Sequence, residues 1–323
     1  MIKFILFLFI LFPFDLNAKY KNTDGEEIKK SVKDLIRWQR NQKKPVLASI
    51  DISGNWKNIN FNDSDNFLIW IGHSTFLIKI NGIVILTDPI FSERASPFKS
   101  FGPKRLIPPS IPINSLPKID VITISHNHYD HLDIRSLKKL YDINSDIIFL
   151  IPEGDIDIFN KRKIQNVHEF KWWDEIIIKD FTFTFTPVKH WSARGFFDRN
   201  DSLWGGWFIN GPDYSVYHAG DTGYSDDFIT TKQKLGSPKY ALIPIGAYDP
   251  EWFMSASHVN PEESIKIMKD LEAEYSFGMH WGTFTLTAED TLEPRERLSE
   301  AAIVEGIENF KTLIPGEVKF LEQ

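Results

Sequence analysis

A single α/β domain, with many short strands and peripheral helices, is the fold this sequence predicts. Three observations carry that expectation. From Phe67 onward, short runs of β-branched and aromatic residues recur with turn signals between them. Helical patterns fit 134–142, 261–273 and 295–310, the second opening on Pro261 at a helix start. No solenoid-period repeat or low-complexity linker marks a second domain. The 323 residues, 42% hydrophobic and 14% aromatic, suffice for a sizeable core.

The chain divides at the sequence level into residues 1–18, an arm at 19–60 and the domain at 61–323. The first part carries Lys3 and then an apolar run from Phe4 to Phe12. That run is shorter than the roughly 20 residues a membrane span needs. It reads as the core of a secretory signal peptide with Ala18 at the cleavage point. Leu16 is not the small residue preferred two places before the cleaved residue, so an uncleaved anchor stays open, as does a buried N-terminal helix. The expectation is an exported protein, periplasmic or membrane-associated. In the arm, residues 25–41 predict a helix with Ile28, Val32, Leu35 and Ile36 on one face. Its cationic face reads as solvated, with peripheral membrane contact as the alternative.

The domain opens on "FLIWIG", "TFLIKI" and "IVILTD", with Asn81-Gly82 as a hairpin signal. The Pro-rich stretch "SPFKSFGPKRLIPPSIPINSLP" reads as irregular. A strand at 119–124 follows, then a histidine-rich run and the first helix of the domain. Further strands fit "DIIFLIP", "EIIIKD", "FTFTFTP", "WGGWFIN", "YSVYHA" and "YALIPIG". Gly205-Gly206 reads as close backbone packing; no helix-linked glycine pattern supports a nucleotide site.

The chemistry concentrates in "SHNHYDHLD" at 125–133, which holds three of the nine histidines. With no cysteine in the chain, a metal can be held only by imidazole and carboxylate. Residues two apart on a strand point to one side, so His126 and His128 can meet one ion. Asp130 and His131 follow in the turn, within reach of a second. Two ions roughly 3.5–4 Å apart activate water and stabilise a leaving oxygen. A net charge of −7 lacks the basic field of a nucleic-acid binder.

The run resembles the metal-binding motif of the metallo-β-lactamase superfamily. The resemblance is closest to the N-acylphosphatidylethanolamine-hydrolysing phospholipase D family and its bacterial relatives. It extends from about residue 68 to 315 through "WIGHSTFLIKI", "LTDPIFSERASP", "GPKRLIPP", "KHWSARG", "LWGGWFI", "HAGDTGY", "IPIGAYDP", "HVNPEES" and "MHWGTFTLT". It implies an αββα sandwich, two packed mixed sheets with helices on the outer faces. It also implies that His126, His128 and His190 hold one metal and Asp130, His131 and His280 the other, with Asp221 bridging. The pair would be two Zn2+, with iron and manganese left open by ligand type.

The remaining assignments follow from the same comparison and from local context. Asp130 and Asp221 act in catalysis as ligands, and His258 is either a substrate contact or proton donor or a structural hydrogen-bonding group. Asp88 orients the loop that carries the ligands, and His73 shapes a tight turn beside the site. His168 and His218 have no chemical setting. Two divalent ions with two carboxylates and a hydroxide leave a net charge of about +1, suited to an anionic phosphodiester. The implied reaction is phospholipase D-type hydrolysis, by attack of metal-bound hydroxide, of an N-acylphosphatidylethanolamine-like lipid to phosphatidic acid and an N-acylethanolamine. Loop 91–114 is a candidate for lipid contact. The alternatives are a lactonase or other ester hydrolase, a di-iron oxidoreductase, a non-catalytic lipid binder and a β-lactam hydrolase. The partner class is a phospholipid or other small phosphodiester; a homodimer stays open.

Overall fold

The computed structural model describes residues 19–41, 43–63, 65–195 and 197–322, so the expected signal segment at 1–18 lies outside them. Two seven-stranded sheets form the body. The first contains β1 (Phe67–Gly72), β2 (Thr75–Ile80), β3 (Ile83–Thr87), β4 (Val121–Thr123), β5 (Ile148–Pro152), β6 (Val167–Phe170) and β14 (Val318–Phe320). The second contains β7 (Glu175–Ile178), β8 (Phe181–Thr186), β9 (Gly206–Asn210), β10 (Ser215–His218), β11 (Tyr240–Pro244), β12 (Tyr275–Met279) and β13 (Phe310–Lys311). The spatial orders are β14-β1-β2-β3-β4-β5-β6 and β13-β12-β11-β10-β9-β8-β7.

Period-two alternation separates the layers. Leu68, Trp70, Phe76, Ile78 and Ile85 join Phe183, Phe185, Trp207 and Ile209 in one core. Their neighbours Ile69, Leu77, Leu86 and Ile122 face away and cluster with Leu137 and Leu140 of a helix. The helices are α1 (Val32–Asn41), α2 (Ile134–Ile143), α3 (Ile156–Asn160), α4 (Asp227–Leu235), α5 (Glu251–Met254), α6 (Pro261–Leu271) and α7 (Glu293–Val304). Helix α2 covers the first sheet, while α6 and α7 bury Ile265, Met268 and Leu298 against the second. This is the αββα sandwich. The start of α6 is fixed by a capping box: Glu263 N–H donates to Asn260 at 2.9 Å, and Asn260 N–H donates back to Glu263 at 3.2 Å.

The predicted helix at 25–41 is corrected. Only Val32–Asn41 is helical, and its buried residues are Leu35 and Trp38. Val32 and Ile36 are 47% and 39% exposed, and Ile28 is buried outside the helix. The reason is tertiary: Trp38 stacks on Phe253 of α5, with centroids 5.2 Å apart. That contact turns the helix away from the face its periodicity alone suggests. The helix expected at 295–310 ends at Val304, and Gly306 follows at φ 66°.

Strand direction places the site. Strand β2 runs antiparallel to β1 and β3, and β3 is parallel to β4. Likewise β9 is antiparallel to β8 and β10, and β10, β11 and β12 are parallel. The carboxyl ends of β1, β3 and β4 therefore share one edge of the first sheet. Those of β8, β10 and β12 share one edge of the second. Open α/β sheets bind ligands outside such ends.

Candidate metal centre

The histidine run begins where β4 stops, and the second sheet grips it there. Trp207 Nε1–H donates to the Ile124 carbonyl at 2.9 Å, and Gly205 N–H to the Ser125 carbonyl at 2.9 Å. Gly205 has no room for a side chain: an added Cβ would stand 2.4 Å from the Thr186 carbonyl oxygen. Asp88, just past β3, accepts from Ser125 N–H at 2.7 Å and Ser125 Oγ–H at 2.6 Å. Its Oδ2 also lies 2.7 Å from His131 Nδ1. These contacts tie Asp88 to both ends of the histidine run. The His131 and Leu132 N–H groups donate to the His128 carbonyl at 3.1 and 2.9 Å, closing the turn that swings Asp130 and His131 inward.

Three non-glycine residues at the strand ends adopt left-handed backbone: His73 (φ 56°), Asp88 (φ 35°) and His280 (φ 64°). Each such conformation costs about 1–3 kcal/mol and persists only where surrounding structure over-determines it. Here His280 N–H donates to the His73 carbonyl at 3.1 Å, and His73 N–H to Thr283 Oγ1 at 2.7 Å. These bonds stitch the end of β1 to the end of β12, across the two sheets.

The geometry gathers two sets of potential ligands. His126, His128 and His190 converge in the first. His128 Nδ1 is 2.8 Å from His126 Nε2 and 3.3 Å from His190 Nε2. The second set is Asp130, His131 and His280, joined by His73. Asp130 Oδ2 is 3.0 Å from His73 Nε2, 3.4 Å from His280 Nε2 and 3.6 Å from His131 Nε2. Asp221 lies between the sets: 3.2 Å from His131, 3.1 Å from His280, and 3.9 Å from both His126 and His190. All seven residues named from sequence as ligands therefore meet at one place. His73 both makes the expected turn and touches Asp130.

The donor set fits metal ions on an observation independent of motif. His131 Nε2, His280 Nε2 and Asp221 Oδ1, which face one another in the centre, are buried without a hydrogen-bond partner. The Asp221 contacts fall within ion-pair distance without hydrogen-bond alignment. Orphaned buried polar atoms are costly, and a cation among them removes that cost. Ligands about 2.0–2.1 Å from a tetrahedral zinc stand roughly 3.3–3.5 Å apart, comparable to the His128–His190 contact. The distal nitrogens are fixed as well: His190 Nδ1–H donates to the Ser257 carbonyl at 2.9 Å, leaving Nε2 free to ligate.

Electrostatics differ across the centre. Burial lowers His128 and His190 to about 3 despite the opposing carboxylates. Burial opposes protonation of His131 and His280 too, but Asp221 and Asp130 outweigh it. His131 rises well above its usual value and His280 to about 9. Burial would raise Asp130 and Asp221, yet their imidazole neighbours hold both well below the usual carboxylate range.

A cavity of about 230 Å³ opens above the ligands. His128, Asp130, Asp221 and His258 form its polar floor; Ile28, Trp38, Ala95, Phe253, Met254 and Leu286 supply apolar wall. His258 Nδ1 is 3.8 Å from Asp221 Oδ2, and burial lowers its pKa to about 3, so the ring is neutral at pH 7. Ala95 and Pro103 bring the Pro-rich loop to this wall. Sequence reasoning missed the wall residues of the arm and Arg199, because none stands in a chemical motif. It also passed over His218, which is buried with Nε2 3.9 Å from Asp88. His168 is exposed on β6.

A family model described as a β-lactamase superfamily domain matches residues 84–281. The chain belongs to the metallo-β-lactamase superfamily. Within the superfamily it is 39% identical over 250 residues to N-acyl-phosphatidylethanolamine-hydrolyzing phospholipase D 1 of Caenorhabditis elegans, covering 74% of this chain and 70% of that one. It is 41% identical over 240 residues to the mitochondrial N-acyl-phosphatidylethanolamine-hydrolyzing phospholipase D of Saccharomyces cerevisiae. That match covers 72% of this chain but only 51% of the yeast protein, so the chain spans about half its length. A solved metallo hydrolase from Ignicoccus hospitalis shares the fold at a TM-score of 0.61 and 22% identity, over 80% of this chain and 99% of that one. Superfamily membership and the two clustered ligand sets make this chain a metal-dependent hydrolase with a binuclear centre.

Proposed function

We propose that this chain is a phospholipase D-type phosphodiesterase acting on N-acylphosphatidylethanolamine-like lipids, with zinc as its metal. The observation that carries this reading is the juxtaposition of an apolar-walled cavity with a floor of metal ligands. A lipid phosphodiester needs both: a cationic floor for its phosphate and apolar surface for the chains beside it. The names of the worm and yeast relatives support the same substrate class. In this reading His126, His128 and His190 hold one ion, Asp130, His131 and His280 the other, and Asp221 reaches both. A bound metal pair supplies Lewis acidity and lowers the pKa of water toward about 7.

The chain's own residues do the rest. Asp88 and the Ser257 carbonyl fix imidazole tautomers, so lone pairs face the centre. His258, neutral and at the cavity floor, is placed to donate a hydrogen bond to substrate. The walls exclude water from the reacting phosphate. Residues 19–60 form an arm that completes the cavity, and the apolar run at 4–12 directs export to the periplasm or its membrane surface.

The test is turnover of an N-acylated phospholipid, an activated phosphodiester and a lactone by the metal-loaded protein, with metal analysis. Close to two ions per chain and phosphatidic acid release are expected. Exclusive consumption of the lactone, abolished by Asp221→Asn, would replace this reading with the ester-hydrolase one. Cell fractionation checks the export proposal; protein confined to the cytosol would overturn it.

A further inference from the structure

Two cations face the cavity without a carboxylate in salt-bridge contact. Lys30 belongs to the arm and Arg199 to the loop after His190; both line the same space as His128, Asp221 and His258. The Lys30 ammonium donates to the Phe253 carbonyl and lies 4.6 Å from that residue's ring centroid. The Arg199 guanidinium donates to the Ile28 carbonyl and lies 4.1 Å from the Trp191 ring centroid. Among the described residues neither makes an ion pair. Asp34 and Glu27 act on Lys30 and Arg199 at longer range, but their close contacts lie elsewhere. Glu27 pairs with Lys21 and Lys29 at 3.3 and 3.0 Å, and Asp34 accepts from Ser31 Oγ at 2.6 Å.

The arm that brings Lys30 here is docked, not loose. Asn22 Oδ1 accepts from the His190 N–H at 3.0 Å and from Trp204 Nε1–H at 3.1 Å, and Tyr20 N–H donates to the Asn200 carbonyl at 3.1 Å. Burial lowers both cations, Arg199 to about 10; Asp34 partly offsets this at Lys30 and Glu27 at Arg199, while the Arg199 charge lowers Lys30. Holding two like charges together in a half-buried wall is costly without an anion between them. A singly charged phosphodiester on the metal floor does not supply it: that charge is already matched by the centre's net charge of about +1.

We propose that Lys30 and Arg199 form an anion subsite in the cavity, which binds a second anionic group carried by the substrate itself beside its apolar chain. The preferred substrates would then be acidic amphiphiles bearing a carboxylate or phosphate in addition to the scissile phosphodiester, a preference that goes beyond N-acylphosphatidylethanolamine itself, whose only charge is its phosphodiester. The assignment rests on the hydrolytic reading above for its substrate but not for its binding.

The experiment uses the full-length, metal-loaded protein and two alkyl aryl phosphodiesters, identical except for a terminal carboxylate or a terminal hydroxyl on the alkyl arm. Charge-assisted hydrogen bonds of this kind give a preference of roughly tenfold or more in kcat/KM for the carboxylate. The double variant Lys30→Gln, Arg199→Gln should bring that ratio close to one, and Arg199→Lys, which keeps the charge, should retain most of it. A phosphate monoester on the same arm tests whether the subsite favours carboxylate or phosphate. Equal kcat/KM for both esters in the unaltered protein, or a ratio that survives the double variant, overturns the proposal. Should no phosphodiester be hydrolysed, the function proposed above fails on its own. Calorimetric binding of N-dodecanoylglycine against N-dodecanoylethanolamine then decides the subsite. A preference for the glycine conjugate that the double variant loses supports it, and equal binding sinks it.

Discussion

The two ligand sets stand side by side yet are built differently. His126, His128 and His190 are imidazoles alone, and burial keeps His128 and His190 neutral at about 3. Asp130, His131 and His280 mix a carboxylate with imidazoles that hold protons, His280 up to about 9. The first set is thus ready to accept an ion as it stands, whereas the second must release protons to do so. What separates them is the placement of two carboxylates: Asp221 stands 3.1–3.2 Å from the second set's histidines and 3.9 Å from two of the first. Asp130 within the second set, Asp88 behind His131 and the closer approach of Asp221 together decide which imidazoles are charged when no metal is bound.

The residue common to both sets offers the harshest way to break this comparison. Asp221→Asn removes the charge reaching both ions, so activity should fall by roughly 10³-fold or more and metal content drop below two per chain. Full activity with two ions retained would remove Asp221 from the centre. Next, His128→Ala and His280→Ala should each lose nearly all turnover and about one ion, but different ones. Metal titrations of the two variants should show opposite residual sites; identical residual affinities would mean that the sets are not distinct.

Asp88→Ala should weaken metal binding by roughly 10–100-fold, through loss of the His131 tautomer, without removing a ligand. The weakening should fall on the second set, which His131 serves; an equal loss at both would place Asp88 under the whole loop. A pH series sharpens the same point. Protons on His131 and His280 compete with metal, so affinity at the second site should rise with pH, the His280 contribution levelling off near pH 9. The first site should change little over pH 5–9. In the metal-free protein the His280 ion pairs contribute stability present below about pH 6.5 and lost as pH rises through about 9.

The smallest expected effect lies one layer behind the first set. Asn127, between His126 and His128, donates to buried Asp155 at 2.9 Å, and burial raises that carboxyl to about 7. An acid whose pKa is raised by folding weakens the fold progressively from about pH 4 to pH 7, and by a constant amount above. Asp155→Asn should therefore leave thermal stability at pH 4 nearly unchanged and raise it at pH 8. An effect of about 1 kcal/mol corresponds to roughly 2–4 °C. A loss at both values would show that the carboxyl serves geometry, not charge.

Sequence and structure agree best where the information is local. The hairpin at Asn81-Gly82, the β-branched strands and the capped helix at Pro261 follow from patterns a few residues long, and each forms where expected. Strands β6, β13 and β14 and helices α3 to α5 went unpredicted; most are only two to five residues long, too short for a periodic signal. Helix α1 has the clearest mismatch, since its buried face is chosen by Phe253, more than 200 positions away.

By itself the sequence determined the H-x-H-x-D-H cluster, the absence of thiolate ligands and, through family resemblance, the candidates for the distant ligands. Covalent proximity makes such features legible, because four side chains within six residues at a strand end have few other places to go. Only the tertiary structure decided that the arm roofs the cavity, that Lys30 and Arg199 share it, and that His131 and His280 hold protons where His128 and His190 do not. Those properties depend on burial and on distances between elements far apart in the chain, and Coulomb and desolvation energies respond to separations that no linear spacing encodes.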